Sequence, residues 1–206
     1  MEKKRLLGVS LTLLLIFLHT AVYHFIQNNI TGAFLPAFWL DLAIPYVSAF
    51  VIPYLILTPF IAIAFLMTWK KPDDFLKVNI VFLVLTLISF LFFVYLPTAT
   101  VRPDVTANNM LDYAVNQIYA GDKALNCFPS LHVSMTFLTL LIIRRYKREY
   151  LIPLSVIGLF IILSTLFIKQ HNIADIFGGI TFAALSFWLV FVRRNTNKQY
   201  ISVVKR

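Results

Sequence analysis

The apolar residues of this chain come in blocks of about 20, rather than in the short periods of a soluble helix or strand. Of its 206 residues, 60% are hydrophobic and 13% are charged, whereas a soluble domain usually carries about 25% charged residues. A block of about 20 apolar residues can cross the hydrocarbon core of a bilayer as one helix. The sequence therefore predicts an integral membrane protein and excludes an ordinary soluble domain.

Six such blocks predict an all-α integral membrane protein, with residues 1–206 forming a single domain built as a six-transmembrane-helix bundle. The first block follows a short basic start and resembles a signal peptide, but its length and its lack of a small-residue cleavage site favour a retained span. The fourth block is too short for a full crossing, so we expect its helix to begin within the preceding loop. The predicted spans are about residues 6–26, 44–69, 78–97, 128–143, 151–168 and 173–192.

The positive charges predict which way the bundle faces. Of the 18 Lys and Arg residues, all but Arg102, Lys123 and Lys169 fall on one side of this layout, and such residues favour the cytoplasmic side. We expect both termini inside (N-in/C-in), the plasma membrane as the location, and the long loop of residues 97–129 outside. The basic loops then face anionic membrane lipids, so the net charge of +9 requires no nucleic acid as a partner.

Three short segments carry the candidate chemistry, and all three fall at span ends on the predicted outer side. They are Arg102 with the proline that follows it, the run Pro129–His132, and His171 with Asp175. A basic residue, a hydroxyl and a His–Asp pair at a bilayer surface indicate chemistry on a phosphate group. The single Cys127 excludes an internal disulfide, and the sequence has neither a Cys/His metal pattern nor a glycine-rich phosphate loop. No metal or cofactor is therefore expected.

His171 and Asp175 are four residues apart, so they share one face of a helix. An Asp that accepts a hydrogen bond from one imidazole nitrogen fixes the tautomer and leaves the other nitrogen free to attack. The alternative is structural: Asn172 would be the N-cap of a helix, and Asp175 would stabilise its first turn. The two interpretations are compatible.

The other candidates also have a functional and a structural interpretation. Ser130 and His132 can converge only where a helix begins, next to free backbone N–H groups that bind an anion; otherwise they mark a capped helix start. Arg102 suits bidentate phosphate binding, or it anchors the chain at lipid headgroups. Lys169 is either a phosphate ligand or a snorkelling interfacial lysine.

The order and sidedness of these segments resemble the type 2 phosphatidic acid phosphatase superfamily. That family's three-part pattern reads Lys-x6-Arg-Pro, Pro-Ser-x-His and Ser-Arg-x5-His-x3-Asp. The chain matches this pattern at Arg102-Pro103, at Pro129–His132, and at Ser164, His171 and Asp175. The similarity covers roughly residues 95–179, and the six-span layout extends it to most of the chain.

Two positions depart from the family pattern. Tyr95 stands where the first motif has Lys, and Thr165 stands where the third motif has Arg. The site therefore lacks two of the family's phosphate-binding cations, and Lys169 is the candidate to supply one charge. The pair Ser164-Thr165 also resembles the branch that contains the inositol phosphoceramide synthases, which transfers a phosphoryl headgroup between alcohols.

The resemblance implies a mechanism without a metal. His171 attacks phosphorus and forms a phospho-histidine, Asp175 orients the attacking ring, and His132 protonates the departing oxygen. The residues implied to hold the phosphoryl oxygens are Arg102, Ser130 and Lys169.

Three hypotheses about function follow from the sequence. The first is a membrane lipid phosphatase that acts at the outer leaflet on phosphatidate, phosphatidylglycerol phosphate or a polyprenyl (di)phosphate. The second is a lipid phosphotransferase that uses the same covalent intermediate and an alcohol acceptor. The third is a non-catalytic lipid carrier or scaffold, which the residues at positions 95 and 165 motivate.

Overall fold

The computed structural model describes residues 1–193, which form an all-helical protein. Five of its helices are long and apolar enough to cross a membrane. The basic tail after residue 193, which the sequence places inside, lies outside the described residues. The helices are α1 (Glu2–Asn29), α2 (Trp39–Ala43), α3 (Ser48–Thr68), α4 (Pro72–Tyr95), α5 (Met110–Gly121), α6 (Leu131–Tyr146), α7 (Arg148–Phe167) and α8 (Ile173–Val192).

The predicted fourth span corresponds to α6, which has 16 residues. At 1.5 Å per residue it is about 24 Å long, less than the hydrocarbon core of about 30 Å. It lies inside the bundle, packed against α3, α4, α7 and α8, and Val133, Leu138 and Ile142 are fully buried. Helix α6 is therefore enclosed by its neighbours. Whether it counts as a sixth span stays a prediction.

The main hydrophobic core fills the space between the long helices. Its largest fully buried side chains include Phe82, Leu85 and Phe93 of α4, which pack with Leu138 and Ile142 of α6. Burying a large apolar side chain in water-soluble proteins contributes about 1.5–3 kcal/mol; in lipid, close packing and buried polar contacts take over that role. This packing holds α6 at the centre of the bundle, and the candidate site lies at its start.

One end of the bundle gathers the basic residues. The Arg5 guanidinium lies 5.7 Å from the centre of the Trp69 ring, and Lys4 forms an ion pair with Asp73. The Tyr146 hydroxyl donates to Asp74 at 3.1 Å. The starts of α1 and α4 and the end of α6 therefore meet at one end, which we call the basic end.

The opposite end holds the three candidate segments. Here α4 and α7 end, and α6 and α8 begin. The Thr100 hydroxyl, just past α4, donates to the side chain of Asn172, the residue before α8, at 3.2 Å. Amphipathic α5 packs on this end through Val115, which is buried against Val51 and Ile168. The loop of residues 97–129 is thus held over the helix ends and forms one wall of the site.

Candidate active site

Two histidines face each other at this end of the bundle. His132 lies in the first turn of α6, and its ring centre is 6.2 Å from that of His171 in the connection before α8. Both line one cavity of about 180 Å³. The two imidazoles therefore border one common space.

Packing fixes the orientation of the His132 ring. The Tyr54 ring of α3 stacks on it with 4.2 Å between ring centres and 19° between ring planes. Tyr54 is itself buried in the small cluster under α5. The stack holds His132 toward the cavity, and no sequence motif indicates this contact because Tyr54 lies in a different span.

The His171–Asp175 pair has the geometry expected of an oriented imidazole. His171 Nδ1 is 3.3 Å from Asp175 Oδ2, and Asp175 is completely buried. With the carboxylate ionised, Nδ1 carries the proton and Nε2 keeps its lone pair. The same carboxylate oxygen accepts the backbone N–H of Asn172 at 2.8 Å. The arrangement thus accommodates both an orienting role for Asp175 and its role at the start of α8.

Ser130 is the N-cap of α6. Its Oγ accepts the backbone N–H of Val133 at 3.3 Å, and its own N–H donates to the backbone carbonyl of Asp175 at 3.1 Å. Gly179 of α8 permits this approach, because a Cβ there would lie 2.9 Å from the Ser130 carbonyl oxygen. Ser130 therefore ties the starts of α6 and α8 together. Its role as a phosphate ligand stays a prediction.

Arg102 reaches the site, but its terminal nitrogens bind protein acceptors. Nη1 donates to the backbone carbonyl of Asp122 at 2.5 Å, and Nη2 donates to that of Lys123 and to the Gln170 side chain. The guanidinium lies 4.6 Å from the centre of the Tyr119 ring. Burial raises the pKa of Tyr119 to about 12, which Arg102 opposes, so this contact is a cation–π interaction with a neutral phenol.

Lys169 holds the segment of residues 35–46 against the site. Its backbone is in the left-handed region, with φ at 54°, and its ammonium donates to the carbonyls of Asp41 and Ile44 at 2.8 and 2.5 Å. Burial lowers the pKa of Lys169, and the Asp41 charge opposes this shift. Lys169 as a phosphate ligand stays a prediction, and that role would require its ammonium to exchange these carbonyl partners.

Asp41 is a structural partner that local sequence patterns did not reveal. Its carboxylate accepts the backbone N–H of Ile173 at 2.7 Å and that of Phe38 at 2.7 Å. It therefore supplies an acceptor for the exposed N–H groups at the start of α8 from a distant part of the chain. The contact joins two segments that are 132 positions apart, so no short motif contains both.

A second cavity of about 570 Å³ adjoins the site beneath the outer segment of residues 35–46. Its lining includes Tyr46, Arg102, Lys169 and His171. His171 thus borders two cavities, the one it shares with His132 and this larger one. A second reactant could approach the same imidazole from this side.

One group of side chains has the donor types of a metal site. Cys127, His171 and Asp175 each place one potential ligand atom within 4.8 Å of the others. Thiolate, imidazole and carboxylate are the donors that Zn²⁺ prefers, but a structural zinc site usually has four ligands. A cation bound here would occupy the imidazole that is the proposed nucleophile. That the reaction needs no metal stays a prediction.

The comparison with known proteins agrees with the motifs and the fold. No curated protein and no solved structure matches the chain. A family model described as the PAP2 superfamily matches residues 34–189, which is most of the chain and includes every candidate site residue. This confirms the resemblance to the type 2 phosphatidic acid phosphatases, although the match does not assign the inositol phosphoceramide synthase-like branch. The chain belongs to the PAP2 superfamily.

Proposed function

We propose that this protein is a membrane lipid phosphatase that removes a terminal phosphate from a phospholipid or a polyprenyl (di)phosphate through a phospho-histidine intermediate. Superfamily membership supports lipid phosphate chemistry in general. The observation that carries the proposal is the pair His132 and His171, which face one cavity across 6.2 Å while Asp175 orients the second ring. Because both imidazoles border one cavity, the proposal assigns one as the nucleophile and the other as the proton donor for a phosphoryl group bound there.

The proposed reaction has two steps. His171 Nε2 forms a bond to phosphorus as the bond to the lipid oxygen breaks, and His132 gives that oxygen a proton. Asp175 stabilises the positive charge that develops on the His171 ring. In the second step His132 takes a proton from water, and the water oxygen bonds to phosphorus as the bond between phosphorus and His171 Nε2 breaks, which releases inorganic phosphate. The two histidines must be in different protonation states, so kcat/KM is expected to follow a bell-shaped pH profile.

A groove that leads from the site supports a lipid substrate. The cavity between the histidines shares His19, Leu57 and Met135 with an apolar cavity of about 290 Å³. That cavity shares Thr12 and Phe65 with a third one of about 240 Å³ near the basic end. We call this series of cavities between α1 and α3 the chain groove. It provides an apolar path for an alkyl or prenyl chain while its phosphate lies between the histidines.

Filling the chain groove should weaken the binding of long lipids only. Ile61 lines the middle cavity and not the histidine cavity. Ile61→Trp is therefore expected to raise KM for a long-chain lipid phosphate about tenfold with kcat unchanged, because groove contacts hold the substrate and the transition state equally. Hydrolysis of para-nitrophenyl phosphate should be unchanged. Leu55→Trp, at a position 59% exposed on the same helix, is the matched control. Equal losses on both substrates in Ile61→Trp would exclude the groove as the lipid site.

We further propose six spans with both termini inside and the site at the outer surface of the plasma membrane. The basic end then faces anionic lipids of the cytoplasmic leaflet, as the distribution of Lys and Arg favours. The candidate segments at the opposite end face outward. In this orientation the enzyme acts on lipids of the outer leaflet.

Thiol labelling of intact cells tests this orientation. In a Cys127→Ser background, Ala107→Cys in the outer loop should react with an impermeant maleimide, and Lys147→Cys at the basic end should react only after lysis. Both positions are exposed. The native thiol is 1% exposed, and burial raises its pKa, so it should contribute little labelling even without the Ser substitution. The reverse labelling pattern would place the site in the cytoplasm.

A lipid phosphotransferase is the second candidate, and the cavity of about 570 Å³ beside His171 favours it. An acceptor alcohol bound there could take the place of water in the second step. Such an enzyme would form the same phospho-histidine and would differ only in what releases it. Adding a lipid alcohol should then yield phosphorylated alcohol faster than inorganic phosphate appears.

A substrate panel tests the proposed function. Purified protein in detergent with excess EDTA is expected to release inorganic phosphate from at least one of phosphatidate, phosphatidylglycerol phosphate and a prenyl diphosphate. Activity that EDTA abolishes and Mg²⁺ restores would contradict the metal-free mechanism. The absence of both phosphate release and transfer to an added alcohol would favour the non-catalytic carrier or scaffold.

A further inference from the structure

Two buried amide side chains in the histidine cavity have polar atoms without a hydrogen-bond partner in the described part of the chain. Asn126 and Gln170 are 2% and 3% exposed, and both line the cavity with His132 and His171. Within residues 1–193, neither Asn126 Nδ2 nor Oδ1 has a partner, and Gln170 Nε2 has none. Because an unpaired buried polar group is costly, such groups in a native cavity usually meet a ligand or water.

The orientation of the Gln170 amide is fixed by its other end. Its Oε1 accepts from Arg102 Nη2, and a guanidinium has only donors, so the oxygen and nitrogen of this amide cannot be exchanged. Arg102 is in turn held by the carbonyls of Asp122 and Lys123. Gln170 Nε2 is therefore a preoriented donor in the cavity wall.

Asn126 is held by the backbone around it. It adopts φ of 58°, a left-handed conformation that Asn tolerates better than most residues. The segment on either side is bonded to the strand-like stretch after α4: Thr100 N–H donates to the Ala124 carbonyl at 3.2 Å, and Phe128 N–H donates to the Thr98 hydroxyl at 2.7 Å. This backbone places a second amide donor in the cavity.

The two positions where the family pattern has cations supply no positive charge to the cavity. The Tyr95 side chain is 81% exposed, and the buried Thr165 donates its hydroxyl to the Ile162 carbonyl at 2.8 Å. Lys169 is bonded to the carbonyls of Asp41 and Ile44. The cations that the family pattern has at positions 95 and 165 are thus absent and Lys169 is engaged elsewhere, while neutral amide donors line the cavity.

We propose that Asn126 and Gln170 form the phosphoryl-oxygen site of this chain, donating side-chain N–H groups to the non-bridging oxygens of the substrate's terminal phosphate. This inference rests on the proposed function, since it assigns the groups that hold the phosphate between His132 and His171. Arg102 then acts as a positioning residue for Gln170. Donors aimed at oxygens that gain charge in the transition state commonly contribute about 10²–10³-fold to kcat each.

Isosteric acids test the proposal. Asn126→Asp and Gln170→Glu keep side-chain size, and in the second variant the carboxylate still accepts from Arg102. Circular dichroism and the Tm without ligand check that each variant folds before its activity is compared. Each replaces a donor by an anion that repels phosphate, and kcat/KM for the lipid phosphate is expected to fall about 10²-fold or more. Asn108→Asp, an exposed residue of the same outer loop, is the matched control and should retain wild-type activity.

Binding of an inorganic oxyanion separates this inference from the proposed function. Orthovanadate should raise the Tm of the wild type and of Asn108→Asp, but not that of Asn126→Asp or Gln170→Glu. This pattern supports the amide site even if no lipid in the panel is hydrolysed. Wild-type kcat/KM and a wild-type vanadate shift in both acidic variants, or no vanadate shift in the wild type, would overturn the inference while leaving lipid hydrolysis to stand on its own test.

Discussion

His171→Ala is expected to lower phosphate release from a lipid phosphate at least about 10⁴-fold, because it removes the atom that bonds to phosphorus. The loss should be the same for an alkyl phosphate and for para-nitrophenyl phosphate, since every substrate must pass through the covalent intermediate. The measurement is kcat for both substrates in detergent. The substitution should leave the fold intact, because the contacts of Asp175 with Asn172 and of Ser130 with Asp175 do not involve the imidazole.

The control for this variant is His24→Ala. His24 is an exposed histidine of α1 and lines none of the cavities at the site, so its replacement should leave kcat unchanged. Near-normal turnover in folded His171→Ala would reject the nucleophile assignment and with it the phospho-histidine. A normal biological effect of His171→Ala in cells, with no turnover in either protein, would instead support the carrier or scaffold hypothesis.

His132→Ala should show a loss that depends on the leaving group. A lipid alkoxide must be protonated as it departs, so kcat for an alkyl phosphate is expected to fall about 10²–10⁴-fold without the acid. Para-nitrophenolate leaves without a proton, so the first step should survive with that substrate. The second step still requires a base to activate water. A stopped-flow burst of nitrophenolate followed by slow turnover is therefore expected.

The leaving-group pattern distinguishes a proton donor from a packing residue. Tyr54→Leu removes the ring stacked on His132 but retains the imidazole, so it should lower kcat for both substrates by similar, smaller factors. If His132→Ala lowered both substrates equally and produced no burst, His132 would be a structural residue, and another group would have to protonate the lipid oxygen.

Hydropathy and short motifs were sufficient to predict the family and the all-helical character. The long apolar blocks give the helices that could cross a membrane, and the motifs mark the starts of α6 and α8 because Ser130 and Asn172 are N-caps in the structure. Hydropathy alone did not locate helix boundaries such as the start of α4 at Pro72, which is followed by the charged first-turn residues Asp73 and Asp74. Capping and the helix dipole, rather than lipid contact, determine that start.

The contacts that complete the site could not be read from the sequence. Tyr54 reaches His132 from another helix, and Asp41 reaches the start of α8 from the outer segment. Gln170 lies between two predicted site residues, yet its importance depends on which end of its amide Arg102 occupies. Each of these contacts depends on tertiary packing, which brings together residues that no local spacing relates.

Detection of the covalent intermediate shows whether His171 is the nucleophile. His132→Ala would be mixed with para-nitrophenyl phosphate, quenched at alkaline pH, where phospho-histidine is stable, digested, and analysed by mass spectrometry. We expect one added phosphoryl group on the peptide that contains His171, and none in the double variant with His171→Ala. A burst of nitrophenolate with no phosphoryl group on His171, or with the group on another residue, would contradict it.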